Sequence, residues 1–450
     1  MTRLALLVAA AFFMEFLDAT ILTTALPKMA ESFHARAIDL SVGVSIYALT
    51  LAVFILPSGW VVERFGARAV FTGAIALFTL SSVLCGLATA PWAFFAARAL
   101  QGVGGAFMVP VGRLVVLRTT PKSGLLRATA LLTWPGLTAP LLGPALGGFL
   151  AEQVSWRAIF FVNVPLGLVG AVLAWAWTPQ VAAIERRRFD GIGFLLAGVA
   201  LGAALLALDA QGALAPALAG LAIVSGALYI GHAGRESAPL IDFAPFRHKT
   251  FRLSLTGGSA ARMFISAVPF ALPLMFQLGF GFDAARAGLT LTPLFVGNIG
   301  IKPFTTAILR RFGFRRVLVV NAGLQAATLF ACAGLDAQTP WPLVALLLCV
   351  SGASRSMHFT ALGTLPFAEV AASEMGMANL IYSASFQAAF AFGVGVAAAL
   401  MKLGAFVTAA PVGPFRFTFV ALGLAMLAVM ASHARLARDA GAEVQARSKT

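Results

Sequence analysis

The sequence predicts an all-α membrane protein built as two six-helix bundles with two extra helices inserted between them, fourteen transmembrane helices in all. Long apolar windows recur from Leu4 to His433, and most reach the ~20 residues that cross a bilayer. Only 11% of the 450 residues are charged and 60% are hydrophobic, whereas a soluble domain uses roughly 25% charged residues to cover its surface. A loop motif also recurs in the second half of the chain at the same place relative to the windows.

The backbone of a segment in hydrocarbon must satisfy its own hydrogen bonds, so each window is a helix. The 44 Gly and 22 Pro suit transmembrane helices better than soluble ones. The windows run near 4–27, 39–62, 69–89, 92–117, 127–150, 157–178, 191–209 and 214–232, then 252–278, 286–308, 316–335, 341–363, 374–401 and 414–435. This divides the chain into a first bundle (1–180), a linker with the inserted pair (181–250), and a second bundle with a short tail (251–450). The first window contains Glu15 and Asp18, which a cleavable signal would not carry in its core, so it reads as a retained helix.

A cytoplasmic amino terminus places Arg64, Arg68, Arg118, Lys122, Arg127, Arg186, Arg247, Lys249, Arg310, Arg311, Arg315, Arg316 and the basic tail inside. On that orientation about 21 Lys/Arg face inward and about 6 outward, as the positive-inside rule favours. An even span count returns the carboxyl terminus to the cytoplasm. Although the net charge is +15, the charges are scattered between apolar windows with no basic domain to hold a duplex, so no nucleic-acid partner is expected.

Cys85, Cys332 and Cys349 fall inside windows and read as small packing residues without disulfide or metal spacing. No metal and no cofactor are expected. The five His are dispersed, with no His-Glu-x-x-His pattern, which argues against a membrane-embedded enzyme. No repeated polar filter suggests a channel.

Arg64-Phe-Gly-Ala-Arg-Ala-Val70 recurs as Arg311-Phe-Gly-Phe-Arg-Arg-Val317, and Gly86 to Trp92 is echoed by Gly334 to Trp341 one span later. Both copies of the first motif follow the second span of a half. The halves therefore share one orientation, a parallel repeat about an axis along the membrane normal.

Four segments resemble the major facilitator superfamily, and within it the fourteen-span drug:proton antiporters. The loop Gly59-Trp-Val-Val-Glu63-Arg64-Phe-Gly66-Ala-Arg68 is similar to the superfamily loop motif, with Glu63 where Asp is usual. The resemblance implies that this acid, with Arg64, Arg68 and the second copy at Arg311 and Gly313, latches the halves on the cytoplasmic side. Arg98-Ala-Leu-Gln101-Gly102-Val-Gly104-Gly105 resembles the fourth-span motif. The fifth-span segment, Gly136, Pro140, Gly143, Pro144, Gly147 and Gly148, resembles the antiporter motif. Leu17-Asp18-Ala-Thr20 through Pro27 resembles the first-span motif of the fourteen-span group. The resemblance implies a major facilitator fold and a proton-coupled secondary transporter that exports small molecules by alternating access. It implies a multi-pass protein of the bacterial inner membrane with both termini cytoplasmic, acting as a monomer.

Candidate site residues follow from charges placed inside windows. Asp18 and Glu15 lie three apart and share a helix face, so one of them is a natural proton carrier. Asp18 is favoured because it lies in the motif, and the plain alternative locks it in a structural pair with Arg98. Arg113, Arg262, Lys302 and Arg355 also lie inside windows. Cations near helix ends can snorkel to the interface, the plain reading for Arg113 and Arg355, whereas Arg262 and Lys302 sit deeper, where a cation is costly without a partner. They suggest an alternative cargo, an organic anion such as citrate or another di- or tricarboxylate, bound between the halves. Asn379, Ser383 and Gln387, with Tyr382 and Phe386, and the stripe Ser259, Arg262, Ser266 are candidate cavity walls. Interhelical hydrogen bonding is the simpler reading for any single Ser.

Overall fold

A computed structural model describes residues 2–119, 125–180, 188–210, 212–236, 239–371 and 374–441, with residues 117–119, 125–131 and 133–137 described as backbone only. Lys122 and Arg186 lie outside the described residues. Every regular element among those described is helical. The first compact unit is Met1–Ile241 with Asp283–Gly288, and the second is Asp242–Phe282 with Leu289–Thr450.

The first unit carries α1 (Thr2–Phe33), α2 (Ser41–Phe54), α3 (Ser58–Phe65), α4 (Ala67–Leu87), α5 (Pro91–Thr119), α6 (Leu125–Gln153), α7 (Ala158–Phe161), α8 (Asn163–Trp177), α9 (Gly191–Asp209) and α10 (Leu214–Ala233). After them come α11 (Lys249–Leu274), α12 (Ala284–Thr290), α13 (Thr292–Gly300), α14 (Lys302–Phe312), α15 (Phe314–Ala333), α16 (Trp341–Thr364), α17 (Met375–Val407) and α18 (Gly413–His433).

Each apolar window is helical, and of the fourteen expected spans eleven or twelve stand out by length and composition among the described residues. Among the described residues eleven helices are long and apolar enough to cross a membrane, or twelve with α2 and α3 taken as one span bent by 60°. The two remaining windows are 127–150, whose α6 is partly described as backbone only, and 286–308. The second is broken into α12, α13 and α14, with Pro293 and Pro303 at the starts of α13 and α14. A proline there has no N–H to give the preceding turn, so the ladder is interrupted and the helix restarts. In α1 the single Pro27 is absorbed without a break.

The two copies of the loop motif make the same turn. Gly66 ends α3 and begins α4 at φ 81°, ψ 145°, and Gly313 does so between α14 and α15 at φ 76°, ψ 158°. That region of backbone space is essentially reserved for glycine, which is why a glycine stands at this turn in both halves.

Helices here approach through small residues, since lipid tails give no net hydrophobic drive to associate. In the first unit Gly143 and Gly147 of α6 lie directly against Thr20 and the Ile21 carbonyl of α1, and Thr24 Oγ1 donates to the Pro144 carbonyl at 3.2 Å. In the second unit Gly297 meets the Cys349 carbonyl and Gly352 the Leu294 carbonyl, a reciprocal α13–α16 contact.

The inserted α9 and α10 belong to the first unit, where Phe194 sets its ring edge-on to Phe54 at 5.2 Å. Asp190 caps α9 by accepting from Gly193 N at 2.8 Å. It also accepts from Leu240 N at 3.0 Å and from His232 Nε2 at 2.7 Å. Burial raises the affinity of this carboxyl for a proton, but the two backbone N–H donors and His232 more than offset it, and its pKa lies below the ordinary value. A depressed carboxylate stabilises the fold above its unfolded pKa and loses that contribution as pH falls through the folded value. The loss is therefore expected below about pH 4. Asp190→Asn is expected to flatten the acid limb of stability against pH, and Asp190→Ala to cost about 1–2 kcal/mol. Thermal unfolding in detergent at pH 3 to 7 is the measurement, and an unchanged acid limb in Asp190→Asn would refute the linkage.

Candidate functional site

Each unit holds a buried cluster of charged and polar side chains. In the first, four helices converge on the carboxylate of Asp18 on α1. Its Oδ2 accepts from Arg98 Nη1 of α5 at 2.5 Å, and both side chains are at most 1% exposed. Its Oδ1 accepts from Gln101 Nε2 at 2.9 Å and from Asn163 Nδ2 of α8 at 3.0 Å. Gln101 Nε2 also donates to Ser82 Oγ of α4 at 2.8 Å, and Gln101 Oε1 accepts from Arg98 Nη1 at 2.5 Å. Arg98 Nε reaches the Gly43 carbonyl of α2 at 3.2 Å, and the guanidinium lies 4.2 Å from the Tyr47 ring centroid. Spacing on α5 explains the pairing, because Arg98 and Gln101 lie three apart and present one face. Gly102 permits the approach, since a Cβ there would meet the Tyr47 carbonyl at 2.5 Å.

Glu15 is placed differently from Asp18. It is buried on α1 at 3% exposure, and its Oε2 has no hydrogen-bond partner; nor does the hydroxyl of Tyr47. Gly105 opens the space between them, with Tyr47 OH 3.2 Å and Glu15 Cδ 3.7 Å from where a Cβ would stand. The ion pair with Arg98 thus falls to Asp18, and Glu15 keeps its Oε2 without a hydrogen-bond partner among the described residues.

In the second unit Arg262, Lys302 and Arg355 form a cationic and aromatic cluster. Arg262 on α11 is 1% exposed, donates from Nη2 to the Leu362 carbonyl at 2.9 Å, and lies 4.4 Å from the Tyr382 ring and 5.6 Å from the Phe386 ring of α17. Phe386 meets Phe359 of α16 edge-on at 5.8 Å, and Arg355 sits 5.3 Å from Phe359. Lys302 Nζ donates to Thr360 Oγ1 at 3.1 Å. No carboxylate among the described residues forms an ion pair with any of the three. Nε and Nη1 of both Arg262 and Arg355 are buried without a hydrogen-bond partner among the described residues.

The other expected residues scatter. Arg113 is exposed on α5 and Asn379 is exposed on α17, while Gln387 is half-buried. Arg68 Nε donates to the Thr178 carbonyl at 2.6 Å and so caps the end of α8, whereas Glu63 pairs with no cation among the described residues. Arg64 and Arg311 are exposed, and Arg311 lies 5.5 Å from the Phe312 ring. Gly59 is open, with nothing near its missing Cβ. Pro140 is half-buried, Pro144 and Gly148 are buried, and Gly136 falls in the stretch described as backbone only. Residues not singled out from sequence are Asn163, Ser82 and Tyr47 in the first cluster and Phe359 and Thr360 in the second. Asn163 could have been found as the lone amide in its apolar window.

A membrane-spanning helical repeat with an acid–arginine network in one half defines a secondary transporter rather than an enzyme. The sequence profile of the Major Facilitator Superfamily matches residues 8–260 and 254–449, and the chain belongs to that superfamily. Among curated relatives it is similar to the MdtD proteins, named for multidrug resistance. That of Escherichia fergusonii is 39% identical over 405 residues, covering 88% of this chain and 85% of the relative, and that of Salmonella newport is 39% identical with 88% and 86% covered. Among solved structures a D-xylose–proton symporter aligns with a TM-score of 0.71 at 14% identity, covering 98% of this chain and 99% of that one. An auto-inhibited peptide transporter aligns at 0.69 and 13%, covering 97% and 98%. At such identities these structures speak for the fold alone.

Proposed function

We propose that the chain is a proton-coupled exporter of small molecules, of the multidrug-efflux type, working by alternating access in a bacterial inner membrane with both termini cytoplasmic. The carrying observation is the buried Asp18–Arg98 pair, tied by Gln101 and Asn163, with the unpartnered carboxyl of Glu15 three residues away on the same helix. A proton on the Asp18 carboxylate would weaken its hold on Arg98 and release four helices from one another. Glu15 is the exchange point through which the proton arrives. Such coupling needs proton and substrate to favour different conformations. The names of the MdtD relatives support the drug-efflux reading.

The second cluster favours a second reading of the cargo. Three intramembrane cations without an acid are expensive to retain, and a carrier of lipophilic cations gains nothing from them. An organic anion with two or three carboxylates would supply the missing partners.

Purified protein in proteoliposomes tests both readings, using ethidium and citrate as probes. An imposed pH gradient is expected to raise substrate transport at least about tenfold, a difference of about 1.4 kcal/mol, and a protonophore to abolish the increase. Transport insensitive to the protonophore would end the proton-coupled reading.

A further inference from the structure

A second group of titratable side chains lies in the other unit and has no part in the transport cycle described above. Helices α15, α16 and α18 bring Asn321, His358 and His433 together, all buried. Asn321 Nδ2 donates to the Ser354 carbonyl at 2.7 Å and lies 3.1 Å from His358 Nδ1, while Ser354 Oγ donates to Asn321 Oδ1 at 3.0 Å. With the amide oriented by Ser354, its second hydrogen points at His358 Nδ1. That nitrogen must accept, and the neutral ring carries its proton on Nε2. In His433, Nδ1 lies 2.9 Å from the Val429 carbonyl, one turn earlier in α18. A carbonyl only accepts, so here Nδ1 carries the proton and Nε2 keeps a bare lone pair.

The two rings are perpendicular with centroids 5.2 Å apart. Both Nε2 atoms are buried without a hydrogen-bond partner among the described residues. Buried polar nitrogens left unsatisfied are uncommon and costly. Here one is a donor and the other an acceptor, which is the arrangement of a site between two states of protonation.

The surroundings decide which ring takes a proton. From α11, Arg262 donates to the Leu362 carbonyl, one turn along α16 from His358. Gly257 of the same helix lets α11 close on Ser432, the neighbour of His433. From α17 comes Tyr382, under the Arg262 guanidinium, and α16 itself carries Arg355. Helix α15 contributes the neutral Asn321, and no carboxylate among the described residues pairs with either ring. The lone pair of His358 is held by Asn321, and its ring lies one helical turn from the carbonyl that Arg262 binds. The lone pair of His433 is open.

We propose that His358 and His433 form a proton-binding site of the second unit, taking up one proton per pair at His433 Nε2 while His358 stays neutral as the fixed Nε2–H tautomer. A second proton would place two imidazoliums side by side in a medium of low dielectric, next to Arg262.

Nitrogen-15 labelling of the histidine rings in full-length protein in lipid nanodiscs tests this, with single His→Gln variants for assignment. At pH 8 one buried ring is expected in the Nδ1–H form, lost in His433→Gln, and one in the Nε2–H form, lost in His358→Gln. On lowering the pH to 5, one proton is expected on His433 and none on His358. The His433 midpoint is expected to stay within about half a unit in His358→Gln, because a ring that remains neutral carries no charge to repel the proton. The proposal is overturned if His433 stays neutral at pH 5, if both rings charge together, or if its midpoint moves by more than about one unit in His358→Gln. The wild-type spectra decide the first two outcomes, so they stand even where a variant fails to fold.

Discussion

In proteoliposomes, Asp18→Asn is expected to keep less than about a tenth of pH-gradient-driven transport, a loss of at least about 1.4 kcal/mol in coupling. The amide retains the shape and the bond to Arg98 in part, but it cannot gain and lose a charge. Removing one member of a buried ion pair costs about 3–5 kcal/mol, because Arg98 is left without its counter-charge, so stability must be read alongside transport. The double variant Asp18→Asn/Arg98→Gln removes both charges and is expected to recover much of the stability without recovering coupling, a non-additivity that marks interacting sites. Glu15→Gln behaves differently, since its Oε2 has no hydrogen bond to lose. It is expected to unfold near the wild-type temperature yet to lose proton-driven transport while retaining substrate counterflow. Full gradient-driven transport in both Asp18→Asn and Glu15→Gln would refute the assignment.

The second large effect is expected at the cationic cluster. Arg262→Gln and Lys302→Gln are each expected to lower counterflow of citrate by about tenfold or more, the order of one lost charge-assisted contact. Counterflow of ethidium is expected to be unchanged or higher, because the cations only oppose it. Arg262 is the more exposing test. Its guanidinium touches Tyr382 and Phe386 and spends one donor on the Leu362 carbonyl, while Nε and Nη1 have no hydrogen-bond partner among the described residues. Citrate counterflow undiminished in both variants would remove the anion reading and leave the drug-efflux reading standing, since that one rests on the first unit.

Much of this architecture is legible before any coordinates. Hydrocarbon forces helices on any apolar window, so the windows mark the helices, and the duplicated Arg-Phe-Gly motif marks the repeat. The repeat turns out to be one backbone conformation used twice, at Gly66 and Gly313. Helix breaks were harder to read. Pro27 bends nothing away from α1, while Pro293 and Pro303 divide the passage 284–312. Whether a proline interrupts a helix depends on which neighbours can take up the freed carbonyls, and neighbours are a tertiary property.

The same division holds at the sites. The sequence by itself determined the helical membrane class, the two-half organisation and the short list of charges that membrane burial makes expensive: Glu15, Asp18, Arg98, Arg262, Lys302 and Arg355. It also put Glu15 and Asp18 on one face, because that follows from helical spacing alone. It left open which carboxyl meets Arg98, and only the packing of α1 against α5 and α8 decided for Asp18, through Gln101 and Asn163. Likewise only the folded second unit showed that Arg262 and Arg355 share a lattice of aromatic rings with no acid paired to them among the described residues, and that His358 meets His433. Burial cost is a property of one residue and can be read along the chain. Partnership is a property of two residues on different helices, and the rotation of each helix about its own axis sets it.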